Sequence, residues 1–151
     1  ESTCDAAKMQ WVLDSLPQKP PFRFLDRITE LSEKHIVAER IFRPEEFFYA
    51  GHFPGDPITP GVILIESMAQ AGLVAMGIYL LNVERPGDTR RALFTDCAID
   101  FLEVVRPGQP MTIYGELIYW RRGKVQSKVE MQFADGKVAA YGTVSGLGVN
   151  K

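Results

Sequence analysis

A chain of 151 residues with 46% hydrophobic and 24% charged side chains carries enough apolar material for one substantial core, so residues 1–151 are expected to form a single domain. The formal net charge of -2 offers no basic excess to hold a nucleic-acid backbone. Cys4 and Cys97 make no CxxC pair and no Cys/His cluster at ligand spacing, which argues against a disulfide framework or a metal site and for a reducing cytoplasm.

The stretch ESTCDAAKMQWVLDSL lacks the basic start and continuous apolar run of a signal peptide, so secretion is not expected. Met9, Val12, Leu13 and Leu16 instead share one helical face, Asp5 suits an N-cap and Pro17 a stop, which predicts an amphipathic helix from Asp5 to Leu16. Phe24 to Leu31 and His35 to Phe42, rich in β-branched and aromatic residues, read as a hairpin. GHFPGDPITPG, residues 51–61, packs three prolines and three glycines into eleven positions, which predicts a rigid loop of specific shape.

Gly61 to Asn82 is a nearly continuous apolar run whose strongly polar side chains before Asn82 are Glu66, Ser67 and Gln70. Its length approaches that of a membrane-spanning helix. An acid with Gln70 one turn on, abundant Ala and Gly, and the sheet-like sequence around it favour a helix buried in a soluble core, with no membrane insertion. Leu93 to Val105, Met111 to Trp120, Lys124 to Phe133 and Lys137 to Ser145 read as strands. Pro107-Gly108, Arg121-Arg122-Gly123 and Asp135-Gly136 break them, which predicts an antiparallel meander. The fold class is therefore α+β, about six strands in a strongly curved antiparallel sheet around one long central buried helix.

Two residues stand out chemically. His52 lies in the proline-glycine loop, and Glu66, fourteen positions later, is the lone acid of the buried helix. A carboxyl placed so must be partly neutral, paired or turned to a cavity, and such groups are functional candidates. Gln70 could bond that carboxyl or satisfy a nearby backbone group. His35 and Cys97 read as ordinary strand residues, and Asp26 and Arg27 as members of a structural ion pair or subunit contact.

GHFPGDPITPGVILIESMAQAG resembles the signature of the FabZ-type 3-hydroxyacyl-acyl carrier protein dehydratases, and LPQKPPFRFLDRI, VVRPGQPM, RRGKV and ADGKVAA follow in that family's order. The resemblance implies the hot-dog fold, a catalytic pair His52 and Glu66, and a glycine, Gly61, opening the central helix. Phe53 and Val62, beside them in sequence, are accompanying substrate contacts. It further implies a homodimer with shared active sites and an acyl tunnel along the helices, often assembled as a trimer of dimers. The substrate would ride on the phosphopantetheine of an acyl carrier protein, with no other cofactor and no metal.

The chemistry asks for such a trio. Removing a proton from C2 requires stabilisation of charge on the thioester oxygen, which a backbone N–H at a helix start can give, and side-chain-free Gly61 allows close approach. His52 suits the base, and a protonated Glu66 can donate to the departing hydroxyl. The sequence leaves a second scheme open, in which His52 both removes and returns the proton while Glu66 orients the leaving water.

One stretch departs from the family pattern. Where members carry basic residues for carrier docking, this chain reads CAIDFLEVV, with Asp100 and Glu103 and no base before Arg106. Arg106, Arg121, Arg122 and Lys124, together with Arg90 and Arg91, are the remaining docking candidates. Gln18 and Pro20 stand where the family more often has His and Tyr, in keeping with a pathway-specific paralogue. An enoyl-CoA hydratase, an acyl thioesterase of the same fold and a non-enzymatic acyl-binding subunit are the rival readings.

Overall fold

The structure, a computed structural model, describes residues 4–88 and 91–149. Helix α1 (Ala6–Ser15) starts at Asp5, whose carboxylate accepts the Lys8 N–H at 2.8 Å, and it buries Val12 and Leu13. Strands β1 (Arg27–Leu31) and β2 (His35–Ile41) form the expected hairpin. β1 begins later than its apolar run suggests because Phe24 and Leu25 dive into the core. The Phe24 N–H and C=O are used by side chains of the central helix instead of a strand ladder.

The central helix runs continuously from Gly61 to Glu84, as α2 (Gly61–Ala69), a π-helical segment (Gln70–Ala75) and α3 (Met76–Glu84). Its most apolar window is 72% buried inside the molecule, so it is a core helix wrapped by the sheet. The remaining strands are β3 (Arg91–Phe101), β4 (Pro110–Arg121), β5 (Lys124–Phe133) and β6 (Val138–Val149). One antiparallel sheet holds all six in the order β1-β2-β4-β5-β6-β3.

That order corrects the expected meander. β4, β5 and β6 are consecutive neighbours, but β3 pairs with β6, and β4 pairs with β2 through Ala38 and Ile113. The Pro107-Gly108 break is not a hairpin turn. β3 ends at Phe101, not Val105, and the chain crosses the sheet end, where the Leu102 N–H donates to Ala139 O, Val105 O accepts from Thr59, and the Gly108 N–H donates to Phe42 O. The crossing ties the proline-glycine loop to both β2 and β6, and leaves β3 at a sheet edge.

Helix and sheet meet closely where side chains are absent. A Cβ on Gly72 would lie 2.8 Å from Val129 Cγ1, and one on Gly115 would lie 2.8 Å from Ile36 Cγ2 and 3.5 Å from the Gly72 Cα. Within the π segment Gly72 O accepts the Ser127 hydroxyl at 2.7 Å, so a carbonyl facing the sheet keeps a partner.

Candidate active site

The loop carrying His52 is built from successive three-residue turns. Glu46 N–H donates to Arg43 O, Tyr49 N–H to Glu46 O and His52 N–H to Tyr49 O, at 3.1, 3.2 and 3.2 Å. Beyond the histidine, Ile58 N–H donates to His52 O at 2.9 Å, and Phe53 and Asp56 exchange backbone bonds. The Tyr49 and Thr59 hydroxyls lie 2.5 Å apart in the core, and Thr59 N–H donates to Val105 O. Arg106 closes the loop from outside through Asp56, at 2.7 Å.

The His52 ring is oriented by Ile58 O, 2.8 Å from Nδ1. A carbonyl only accepts, so Nδ1 carries the hydrogen and the neutral ring presents the Nε2 lone pair to solvent or substrate. This is the tautomer a general base needs. Phe53 stacks on the imidazole with ring centres 4.0 Å apart.

Glu66 lies in the second turn of α2. Burial raises its carboxyl above the ordinary glutamate range, an effect that a hydrogen bond from Gln70 partly offsets. Gln70 is fully buried and does both things that sequence left open: its amide NH2 donates to Glu66 Oε2 at 3.0 Å and to Phe22 O at 2.8 Å, and its carbonyl accepts the Phe24 N–H at 2.7 Å. Ser67 donates to Phe24 O at 2.7 Å. The N-terminal segment is thus laced to the helix beside the acid.

The helix starts at Gly61 and Val62, whose N–H groups have no intrahelical acceptor. A Cβ on Gly61 would come 3.0 Å from the tip of the Phe101 ring, so a larger residue would require that ring to shift. The sequence carries no signal for the parts that Phe101, Phe22 and Phe24 play here. Their contributions are a ring lodged against a glycine 40 positions away and main-chain groups that any residue type carries.

Phe53 and Val62 are 48% and 72% exposed in the single chain, and Leu93, Phe94 and Phe101 of β3 are exposed with them. Along the helix, Val74, Ile78 and Leu81 line a cleft of about 460 Å³ with Leu16, Pro17 and Ala92. In an ideal α-helix positions four apart rotate by about 40° per step. The wider π segment, Gln70–Ala75, turns less per residue and so reduces that drift between Glu66 and Ile78.

The docking candidates do not form one patch. Arg106 pairs with Asp56 by the loop, while Arg121, Arg122 and Lys124 lie at the opposite end of β4, roughly 37 Å away along a strand of 12 residues. Arg121 stacks on Tyr119, and Arg121 and Arg122 line a second cavity, of about 150 Å³, with Arg85 and Trp120. Arg90 lies outside the described residues, and so does the side chain of Arg91. Asp26 pairs with Arg40 and Arg43, and Arg27 with Glu39. His35 bonds Ser32 and Glu30 within the first hairpin, and Cys97 is exposed on β3. Among the described residues no three His, Cys, Asp or Glu side chains converge as a metal site would require.

The site can be set beside known proteins. Residues 16–144 match the FabA-like domain family. A 3-hydroxyacyl-[acyl-carrier-protein] dehydratase FabZ of Chlamydia trachomatis is 36% identical over 148 residues, covering 95% of this chain and 93% of that protein. The FabZ of Ruminiclostridium cellulolyticum is 34% identical over 135 residues, covering 88% and 91%. Among solved structures, the dehydratase heterocomplex ApeI:P from Xenorhabdus doucetiae superposes with a TM-score of 0.77 at 19% identity, over 93% of this chain and 91% of that one. A hypothetical thioesterase with coenzyme A from Streptococcus pneumoniae superposes at 0.59 and 16% identity, over 97% and 98%. The last two establish the hot-dog fold alone. With a family model spanning most of the chain and relatives above 30% identity along nearly all of it, the chain belongs to the FabA-like family, among the FabZ-type 3-hydroxyacyl-acyl carrier protein dehydratases.

Proposed function

We propose that the chain dehydrates (3R)-3-hydroxyacyl-acyl carrier protein to the trans-2-enoyl thioester, in fatty acid or related lipid synthesis. His52 Nε2 takes the C2 proton, the electrons form the C2–C3 double bond, and the C3 hydroxyl leaves as water with a proton from Glu66. The Gly61 N–H holds the thioester oxygen as charge develops there. Phe53 and Val62 flank the reacting thioester, and solvent returns the protons to their starting places. The observation that carries this reading is Glu66, a carboxyl in an apolar helix, held by Gln70 and kept toward its protonated form by burial.

The site is completed by a second copy of the chain, so that His52 of one subunit works with Glu66 of the other. β3, an edge strand of 11 residues with Leu93, Phe94 and Phe101 exposed, supports isologous pairing between two copies. The acyl chain then runs along the helix face toward Val74 and Ile78, and three such dimers form the family's common hexamer. The carrier's phosphopantetheine is the only prosthetic group involved, and the enzyme works in the cytoplasm. Arg121, Arg122, Lys124 and Arg106 remain the basic groups available to an acidic carrier.

The test supplies one 3-hydroxyacyl chain on carrier protein and on CoA, with product followed by mass spectrometry. Loss of water by the wild type, but not by His52→Ala or Glu66→Gln, supports the reading. Release of free acid makes the protein a thioesterase, and turnover restricted to CoA makes it a hydratase running in reverse.

A further inference from the structure

Arg40 is an unusual residue for the inner face of a sheet. At 5% exposure it is, among the described residues, the only charged side chain classed as buried. Its Nη1 donates to Asp26 at 3.0 Å, its Nη2 donates to Glu46, and its Nε has no partner among the described residues. The guanidinium also lies over the rings of Phe42 and Phe24, 4.7 and 5.4 Å from their centres. Desolvating a cation is costly, and a well-packed apolar side chain often serves a core equally well, so the arrangement calls for a geometric reason.

That reason lies in what Arg40 touches. Glu46 also accepts the Arg43 N–H at 2.6 Å, which fixes the first of the three turns that end at the His52 N–H. Asp26 accepts the Ile41 N–H at 2.7 Å and Arg43 Nη1 at 3.0 Å, locking the exit from β2. On the other side, Phe24 presents its ring to Arg40 and its backbone N–H to Gln70, which holds Glu66. One guanidinium therefore stands behind both the loop of the histidine and the support of the acid.

We propose that Arg40 is a positioning residue for both, acting on His52 through Glu46 and the turn ladder and on Glu66 through Phe24 and Gln70. The proposal rests on the roles given above to His52 and Glu66. It goes beyond them in assigning a residue that touches neither substrate nor either catalytic group. In a dimer with shared sites, one chain's Arg40 then governs the base of one site and the acid of the other. Lysine preserves the charge but lacks the planar fork that reaches two carboxylates at once.

The experiment compares wild type with Arg40→Lys, Arg40→Met and Glu46→Gln, measuring kcat, KM, the pH dependence of kcat, thermal stability and the imidazole NMR signals of His52. A His35→Gln variant assigns the latter, since the sequence has two histidines. At temperatures where the variants are folded, kcat is expected to fall about 10-fold or more with KM within about 2-fold. The His52 signals should move, and lysine should recover part of the loss relative to methionine. Folded variants with wild-type kcat, pH profile and His52 signals would overturn the proposal, as would failure of even the lysine variant to fold, which makes Arg40 purely structural. If wild-type protein dehydrates nothing, the reading of the site fails, while the His52 signals still decide what Arg40 does.

Discussion

The Glu66 carboxyl has a thermodynamic signature separable from its chemistry. Burial raises its folded pKa, so its contribution to stability is fully present below the ordinary glutamate value and is lost as pH rises through the raised folded value. Glutamine, neutral throughout, escapes that loss. Glu66→Gln should match the wild-type Tm near pH ~4. It should exceed it increasingly as pH rises through the raised folded value. Calorimetry across that range checks this, and a Tm difference constant with pH would mean that the carboxyl is not desolvated. Activity should move the other way, falling about 10²–10⁴-fold as for loss of a general acid. Gln70→Ala removes three hydrogen bonds and leaves the buried Phe24 N–H without its acceptor, for a cost of about 1–3 kcal/mol. It also removes the bond that holds the Glu66 pKa down, so the alkaline limb of the pH–rate profile should shift to higher pH. His52 and Glu66 stand out as candidates in the sequence because an acid in an apolar helix and a histidine in a rigid loop are local anomalies. The bond from Gln70 to Glu66, one turn away, was legible as one of two options, whereas its bonds to Phe24 and Phe22 were not, because those partners are main-chain groups 46 and 48 residues away.

At the scale of elements, the central helix was legible as buried because no polar face interrupts it, and the Asp5 cap because its signal lies within one turn. The π segment left no such trace. It coincides with Gly72, pressed between Val129 and Ser127, and with a carbonyl that the Ser127 hydroxyl takes up. Gly72→Ala drives a methyl to 2.8 Å from Val129 Cγ1, and this overpacking should cost about 1–3 kcal/mol in chemical denaturation. The double variant with Val129→Ala should regain part of the loss, because the two sites share one volume. Purely additive losses would place the strain elsewhere. Strand pairing was the element-scale reading that failed. Turn residues after β3 suggested a hairpin, yet the chain there crosses the sheet end and binds the proline-glycine loop. Local turn chemistry records that the chain bends, whereas which edge receives β3 depends on the central helix lying between β2 and β3 in the chain.

The whole molecule poses a question that the single chain does not answer within itself: the apolar residues Phe53 and Val62 are exposed next to His52 and Gly61 in the chain, and Leu93, Phe94 and Phe101 are exposed on β3, an edge strand of the sheet. Sequence patterning marks these positions as apolar but cannot say whether core or partner covers them, since both bury the same side chains. If His52 and Glu66 of one site come from different copies, two inactive chains should complement each other. A dimer of His52→Ala with Glu66→Gln has one site lacking both groups and one with both intact. Random mixing makes half the dimers of this kind, so co-refolded or co-expressed chains should recover about a quarter of wild-type activity, whereas each alone stays inactive. Complementation must also require the interface. Leu93→Lys on both chains places like charges on the pairing edge and should abolish the recovered activity together with the dimer in sedimentation. Recovery that survives with monomeric chains is not possible on a shared site. Full dimers without recovery would instead place the histidine and the glutamate of each reaction on the same chain.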